Sequence, residues 1–112
     1  MRLLGYTRVS EADQDAAVQF DALMSAGVES LNVFSDIATS KATDRPGMRR
    51  LLEAVEEGET VVVWRIDRLG RSLVDVLDTV TMLGERGINL RSVQDGIDSS
   101  TTHGRLMLKL LG

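Results

Sequence analysis

An arginine stands two residues before a serine at the end of an apolar run, in Tyr6-Thr7-Arg8-Val9-Ser10. Side chains two apart on a strand point the same way, so this spacing puts Arg8 and Ser10 on one face. A permanently charged guanidinium beside a hydroxyl suits a site where the hydroxyl meets a phosphate. A second stretch, Arg65-Ile66-Asp67-Arg68-Leu69-Gly70-Arg71, sets three arginines around one carboxylate. Asp67 there could orient a guanidinium or handle a proton. The plain alternatives are an ordinary surface hydroxyl at Ser10 and a structural Asp–Arg pair at Asp67.

Serine chemistry needs an activated nucleophile, charge stabilisation and a proton for the leaving group. The acyl-transfer version normally uses a histidine base. The only histidine, His103, lies far along the chain from this cluster, and there is no Gly-x-Ser-x-Gly elbow. A Gly-x-x-x-x-Gly-Lys phosphate loop is missing too, as is carboxylate or histidine spacing typical of a metal site. Arginine-rich surroundings favour phosphoryl chemistry, where negative charge spreads over equatorial oxygens. Metal-free attack of a serine on a phosphodiester or phosphomonoester is what these residues best support.

The elements that must position them alternate in type. Leu3–Val9 reads as a strand, and Ala16, Phe20, Leu23 and Met24 give residues 13–26 a helical stripe that Gly27 stops. Within that helix Gln14 and Gln19 read as solvent-facing. Leu31–Phe34 is a short strand leading to Asp36, and residues 36–45 are polar and aperiodic, a loop expected to be mobile with Arg45 at its end. Asp44 and Pro46 open a second helix with a Met48, Leu51, Leu52, Val55 stripe. Thr60–Ile66 is the most β-branched run and predicts a central parallel strand. Ser72 caps a third helix with a Leu73, Leu77, Val80, Leu83 stripe. Ile88–Val93 is a fourth strand, residues 96–102 read as a loop, and a last segment starts near His103.

This order predicts an α/β fold of three layers: a mostly parallel sheet of about four to five strands, with helices on both faces. Functional crevices in such sheets lie beyond the carboxyl ends of the strands. One rule thus brings Ser10, Arg8, Asp36, Asp67 and several arginines to the same edge.

With 112 residues and one proline the chain predicts a single domain. A hydrophobic content of 43% excludes a disordered class, and no apolar run reaches the roughly 18 residues that span a bilayer. There is no cysteine, which excludes disulfides and thiolate sites and fits a cytoplasmic location. Net charge is −4, against non-specific nucleic-acid binding by the whole surface. Yet Lys41 and Lys109 are the only lysines among thirteen basic residues, leaving eleven arginines. Arginine is favoured where planar, bidentate anion contacts matter; coding bias is the competing explanation.

Four ordered motifs carry a family resemblance. They are Tyr6-x-Arg8-Val9-Ser10 with Gln14, Gln19, Leu23 and Gly27; Asp36 with Asp44-Arg45-Pro46-Gly47; Ile66-Asp67-Arg68-Leu69-Gly70-Arg71-Ser72; and Ile97-Asp98-Ser99-Ser100-Thr101 with Gly104-Arg105-Leu106. Together they resemble the catalytic domain of the serine recombinases of the resolvase/invertase type, over nearly the whole chain. The resemblance implies a site-specific DNA recombinase acting on double-stranded DNA. Its serine forms a covalent 5′-phosphoserine intermediate, followed by strand exchange and religation without metal or nucleotide cofactor. It assigns Ser10 as nucleophile and Arg8, Arg45, Arg68 and Arg71 as phosphate ligands. Asp67 would arrange them or move a proton, and Gln14, Gln19 and Asp36 would support the site. It also implies a homodimer and a synaptic homotetramer. Residues 1–100 would form the catalytic domain and 101–112 the start of a truncated dimerisation helix, the DNA-reading module lying outside the chain. The loop before Asp44 lacks the glycine common in relatives. A non-catalytic phosphate- or partner-binding module and a serine phosphomonoesterase are the competing readings. The choice among resolution, inversion, integration and transposition is not written in these residues.

Overall fold

The computed structural model describes residues 2–10, 15–38 and 45–111, with the backbone alone at Ser10, Ala38 and Leu111. Strands β1 (Leu3–Ser10), β2 (Val33–Ala38), β3 (Thr60–Val63) and β4 (Asn89–Ser92) are parallel. A fifth strand, β5 (Ile97–Asp98), runs antiparallel to β4, giving the order β2-β1-β3-β4-β5. Helices α1 (Ala16–Ser25), α2 (Pro46–Ala54) and α3 (Leu73–Glu85) make the crossovers, and α4 (Thr102–Leu111) follows β5. The expected architecture is the observed one.

The two faces carry unequal cores. Leu4, Tyr6, Met48, Leu51, Val63, Leu83 and their neighbours fill the space between the sheet and α2 and α3. On the opposite face only Leu23, Val28 and Val62 are buried together, beneath α1. Central β3 is buried at all four positions, as its β-branched run predicts. Gly27 and Gly87, read as helix stops, have φ of 98° and 71°, which a side chain would resist. Gly47 is required by contact instead: a Cβ there would lie 2.2 Å from the Ser35 carbonyl oxygen. That close approach seats the start of α2 against β2.

Four local expectations need correction. The loop expected over 36–45 begins later, because β2 continues to Ala38 in register with Ser10; residues 39–44, with Asp44, lie outside the described residues. Strand β3 ends at Val63 and Ile66–Leu69 forms a 3-10 turn, so the cationic stretch leaves the sheet earlier than expected. The buried face of α3 is Val76, Thr79 and Leu83, while Leu73 is 65% exposed. Leu73 is the first residue of the helix. Finally, part of the loop after β4 pairs as β5, because the Leu90 N–H bonds to the Ser99 hydroxyl (2.7 Å) and the Ser99 N–H to the Leu90 carbonyl (2.8 Å).

Candidate active site

The carboxyl edge of β1 and β2 is organised around a buried carboxylate. Asp36 is 6% exposed and accepts three hydrogen bonds. The Gly47 N–H reaches Oδ1 at 2.7 Å, the Met48 N–H reaches Oδ2 at 2.9 Å, and the Tyr6 hydroxyl donates to Oδ2 at 2.7 Å. Asp36 therefore caps α2 from outside the helix and satisfies its first free amides. Burial, then the bond to Asp36, push the Tyr6 phenol well above its usual pKa, while Arg45 and Arg8 pull it down. Both guanidinium groups are thus in electrostatic reach of one ring.

Arg45 directly precedes α2. Its guanidinium carbon lies 6.0 Å from the Tyr6 ring centroid, and Nη1 donates to Asp75 Oδ2 at 2.8 Å. Asp75 sits in the first turn of α3, where its own N–H is capped by the Ser72 hydroxyl at 3.2 Å. The same Oδ2 accepts the Arg71 N–H at 2.9 Å and lies 4.0 Å from Arg71 Nε. One carboxylate oxygen thus gathers Arg45 and Arg71 from two separate motifs.

Arg68 is held from the other side. Its Nη2 donates to Asp15 Oδ2 at 2.7 Å, with side chains only 16% and 21% exposed. Its Nη1 approaches the Arg8 carbonyl at 3.4 Å, and its guanidinium carbon lies 5.7 Å from the Trp64 ring centroid. Gln19 completes this side. Its Oε1 accepts the Arg8 N–H at 3.2 Å, while Nε2 donates to the Arg8 carbonyl at 3.1 Å and to Asp15 Oδ1 at 3.0 Å. Gln19 is fully buried, which overturns its reading as solvent-facing. A glutamine amide can serve a strand's free N–H and C=O together, and α1 presses it against them. Asp67 is 55% exposed; it pairs with Arg65 and stands 3.8 Å from Arg68 Nε.

The structure therefore ties Arg68 and Gln19 to the backbone of Arg8 on β1. It sets Arg45 over Tyr6 and links it through Asp75 to Arg71, with Asp67 beside Arg68. Ser10 closes β1, two residues beyond Arg8. The Ser10 side chain and all of Gln14 lie outside the described residues. Sequence reasoning missed Asp15 and Asp75. The Ser72-x-x-Asp75 spacing is a legible helix-start signature, but nothing local points it at Arg45, thirty residues upstream. Asp15 directly precedes α1, and it too looks like a cap. Among the described residues, no group of three or more histidines or carboxylates could hold a metal ion, and no helix is long and apolar enough to cross a membrane.

The family profile described as "Resolvase, N terminal domain" matches residues 3–112. The chain belongs to the resolvase N-terminal domain family. Its relatives include a DNA-invertase of Enterobacteria phage P7, 46% identical over 98% of this chain and 58% of that protein. The serine recombinase gin of Escherichia phage Mu is also 46% identical, over 98% of this chain and 56% of its own length. The Tn3 transposon resolvase of Escherichia coli is 36% identical, over 99% and 60% respectively. The chain thus spans a little over half the length of these curated relatives. Among solved structures, the N-terminal catalytic domain of TP901-1 integrase superposes with a TM-score of 0.77 at 30% identity, covering 99% of this chain and 91% of that one. In this resolvase domain the four quoted motifs therefore sit on the family's own fold. Tyr6, Arg8, Gln19, Asp36, Arg45 and Arg68 meet through the contacts just described.

Proposed function

We propose that this domain cleaves and rejoins double-stranded DNA as the catalytic part of a site-specific serine recombinase. The linkage of arginines from three separate motifs carries the reading: Arg68 reaches the Arg8 carbonyl at the end of β1, and Arg45 and Arg71 share Asp75 beside it in the fold. Ser10 Oγ gives up its proton and attacks the scissile phosphorus, the bond from phosphorus to the 3′ oxygen breaks, and that oxygen takes up a proton, so one proton is released and one consumed. The product is a 5′ phosphoserine ester and a free 3′ hydroxyl, and the reverse step on an exchanged strand religates it. Arg8, Arg45, Arg68 and Arg71 bind the phosphate and stabilise the charge that grows on it. Asp67, at the rim beside Arg68, orients that guanidinium or relays a proton. Gln19 and Asp36 hold the framework, and Gln14 supports the site.

The assembly is part of the proposal. Residues 1–100 act as the catalytic unit, and α4 starts a helix that contacts a second subunit, in a homodimer that pairs into a tetramer on DNA in the cytoplasm. Leu106 and Leu110 are 56% and 72% exposed on α4, an apolar surface its own domain leaves uncovered. A net charge of −4 fits a domain that leaves most DNA affinity to other parts of the recombinase.

Incubating the recombinase with supercoiled target DNA and stopping with denaturant tests the proposal. We expect protein covalently joined to 5′ ends, and none with Ser10→Ala. Adducts that persist in Ser10→Ala would remove Ser10 from the nucleophile role. Cleared turnover of an aryl phosphate without any adduct would favour a phosphomonoesterase.

A further inference from the structure

Two of the four arginines donate a side-chain hydrogen bond to one of the chain's own carboxylates. Arg68 faces Asp15 and Arg45 faces Asp75, at 2.7 and 2.8 Å. The two carboxylates come from different elements, yet each has a second, fixed partner. Asp15 Oδ1 is held by Gln19, which is itself clamped to the Arg8 backbone. Asp75 is held by the Arg71 N–H at the start of α3. Each would therefore stay in place if its arginine turned away.

We propose that Asp15 and Asp75 are intramolecular competitors of the scissile phosphate, holding the forks of Arg68 and Arg45 until a phosphate displaces them. The inference rests on the recombinase reading for the identity of that phosphate. The guanidinium N–H that donates to a carboxylate oxygen here would donate equally to a phosphate oxygen, so the two anions compete for the same donor. They do not share it comfortably, because like charges a few ångströms apart repel strongly where water is scarce. Arg45 and Arg68 are only 14% and 16% exposed. An arginine so placed needs an anion at all times, and a built-in carboxylate meets that need without DNA. The consequence is a threshold. A phosphate must be held firmly enough by the rest of the assembly to break two ion pairs before the site is fully charged. Asp15 and Asp75 are thus positioning residues that act through the arginines and set how readily the site accepts a phosphate.

Inorganic phosphate is the probe, titrated into this 112-residue chain while the side-chain N–H signals of Arg45 and Arg68 are followed by NMR. Asp15→Asn keeps an oxygen for its neighbours and loses the charge; so does Asp75→Asn. We expect Asp15→Asn to bind phosphate roughly three- to tenfold more tightly at Arg68, and Asp75→Asn to do the same at Arg45, each leaving the other arginine's titration unchanged. A merely structural carboxylate would lower stability without tightening anion binding. Wild-type or weaker affinity in the asparagine variants, with Arg68→Gln weakened, would overturn the competition while keeping the arginine clamp. If Arg68→Gln binds phosphate as well as the parent, the clamp itself is wrong and the competition falls with it. Should Asp75→Asn fail to fold, the Asp15→Asn titration decides alone.

Discussion

Arginines work at both ends of the parallel strands, but with different partners. At the amino edge, Arg86 donates to the carbonyls of Leu52 and Val55, closing the end of α2 at 2.9 and 3.1 Å. Arg2 reaches the Ala54 carbonyl at 2.7 Å and forks onto Glu59. These arginines satisfy carbonyls that the end of a helix leaves without partners. Arg2 has a carboxylate partner as well, so Arg86 is the pure case: both its acceptors belong to the backbone, where no incoming ligand can replace them. At the carboxyl edge, Arg45 and Arg68 face aspartates, whose oxygens a phosphate can imitate. On the proposal above, the same side chain is a fastener at one edge and an exchangeable anion receptor at the other. The partner, not the arginine, decides which.

The largest effect should come from the receptor edge. Removing one charge-stabilising contact commonly costs about 3–4 kcal/mol of barrier, so Arg68→Ala should slow cleavage by roughly two to three decades. Arg68→Lys keeps the charge but not the fork and should still lose about tenfold or more. Single-turnover cleavage by the recombinase measures both. A lysine variant with parental rate would end the distinction between fork and charge.

Tyr6→Phe tests the floor beneath that edge. It removes one of the three donors to buried Asp36, whose Oδ2 keeps only the Met48 N–H, and the expected loss is about 1.5–3 kcal/mol of folding stability by urea denaturation. A neutral result would mean that the two α2 amides suffice to hold Asp36.

At the fastener edge, Arg86→Ala should lower stability by about 1 kcal/mol and leave phosphate affinity unchanged. A drop in phosphate affinity there would show that the two edges are coupled through α2, and would break the comparison.

The smallest effect concerns acid. The Ser100 hydroxyl, then the Ser100 N–H and Arg91, hold the Asp98 carboxyl below its ordinary value despite some burial. Unfolded chain therefore takes up that proton first, so the contribution is present above the ordinary carboxylate pKa and fades as pH falls through the lower folded one. Between about pH 7 and about pH 3, Asp98→Asn should lose slightly less stability than the parent. An unchanged acid limb would remove Asp98 from the account.

Sequence alone determined the layered architecture and the sheet edge at which the candidate site residues lie. Alternation of period-2 and period-3.6 apolar patterns is a local property, and it dictated parallel strands joined by helices. The rule for open sheets then put Arg8, Ser10 and the Arg65–Arg71 stretch at one edge. Helix register was legible where the stripe is strongly apolar, as at Met48 and Leu51, and slipped in α3, where Thr79 is buried and Leu73 is not. Only the tertiary structure decided what each polar side chain faces. Gln19 looked solvated because its partners are the backbone of Arg8, eleven residues earlier. Asp36 looked like a strand end and is the cap of α2. Asp15 and Asp75 drew no reading from the sequence, yet they hold Arg68 and Arg45, fifty-three and thirty residues away in sequence. Apolar burial follows from periodicity because any apolar neighbour will serve. A buried ion pair needs one particular partner at one distance, and that partner is fixed by how the helices land on the sheet.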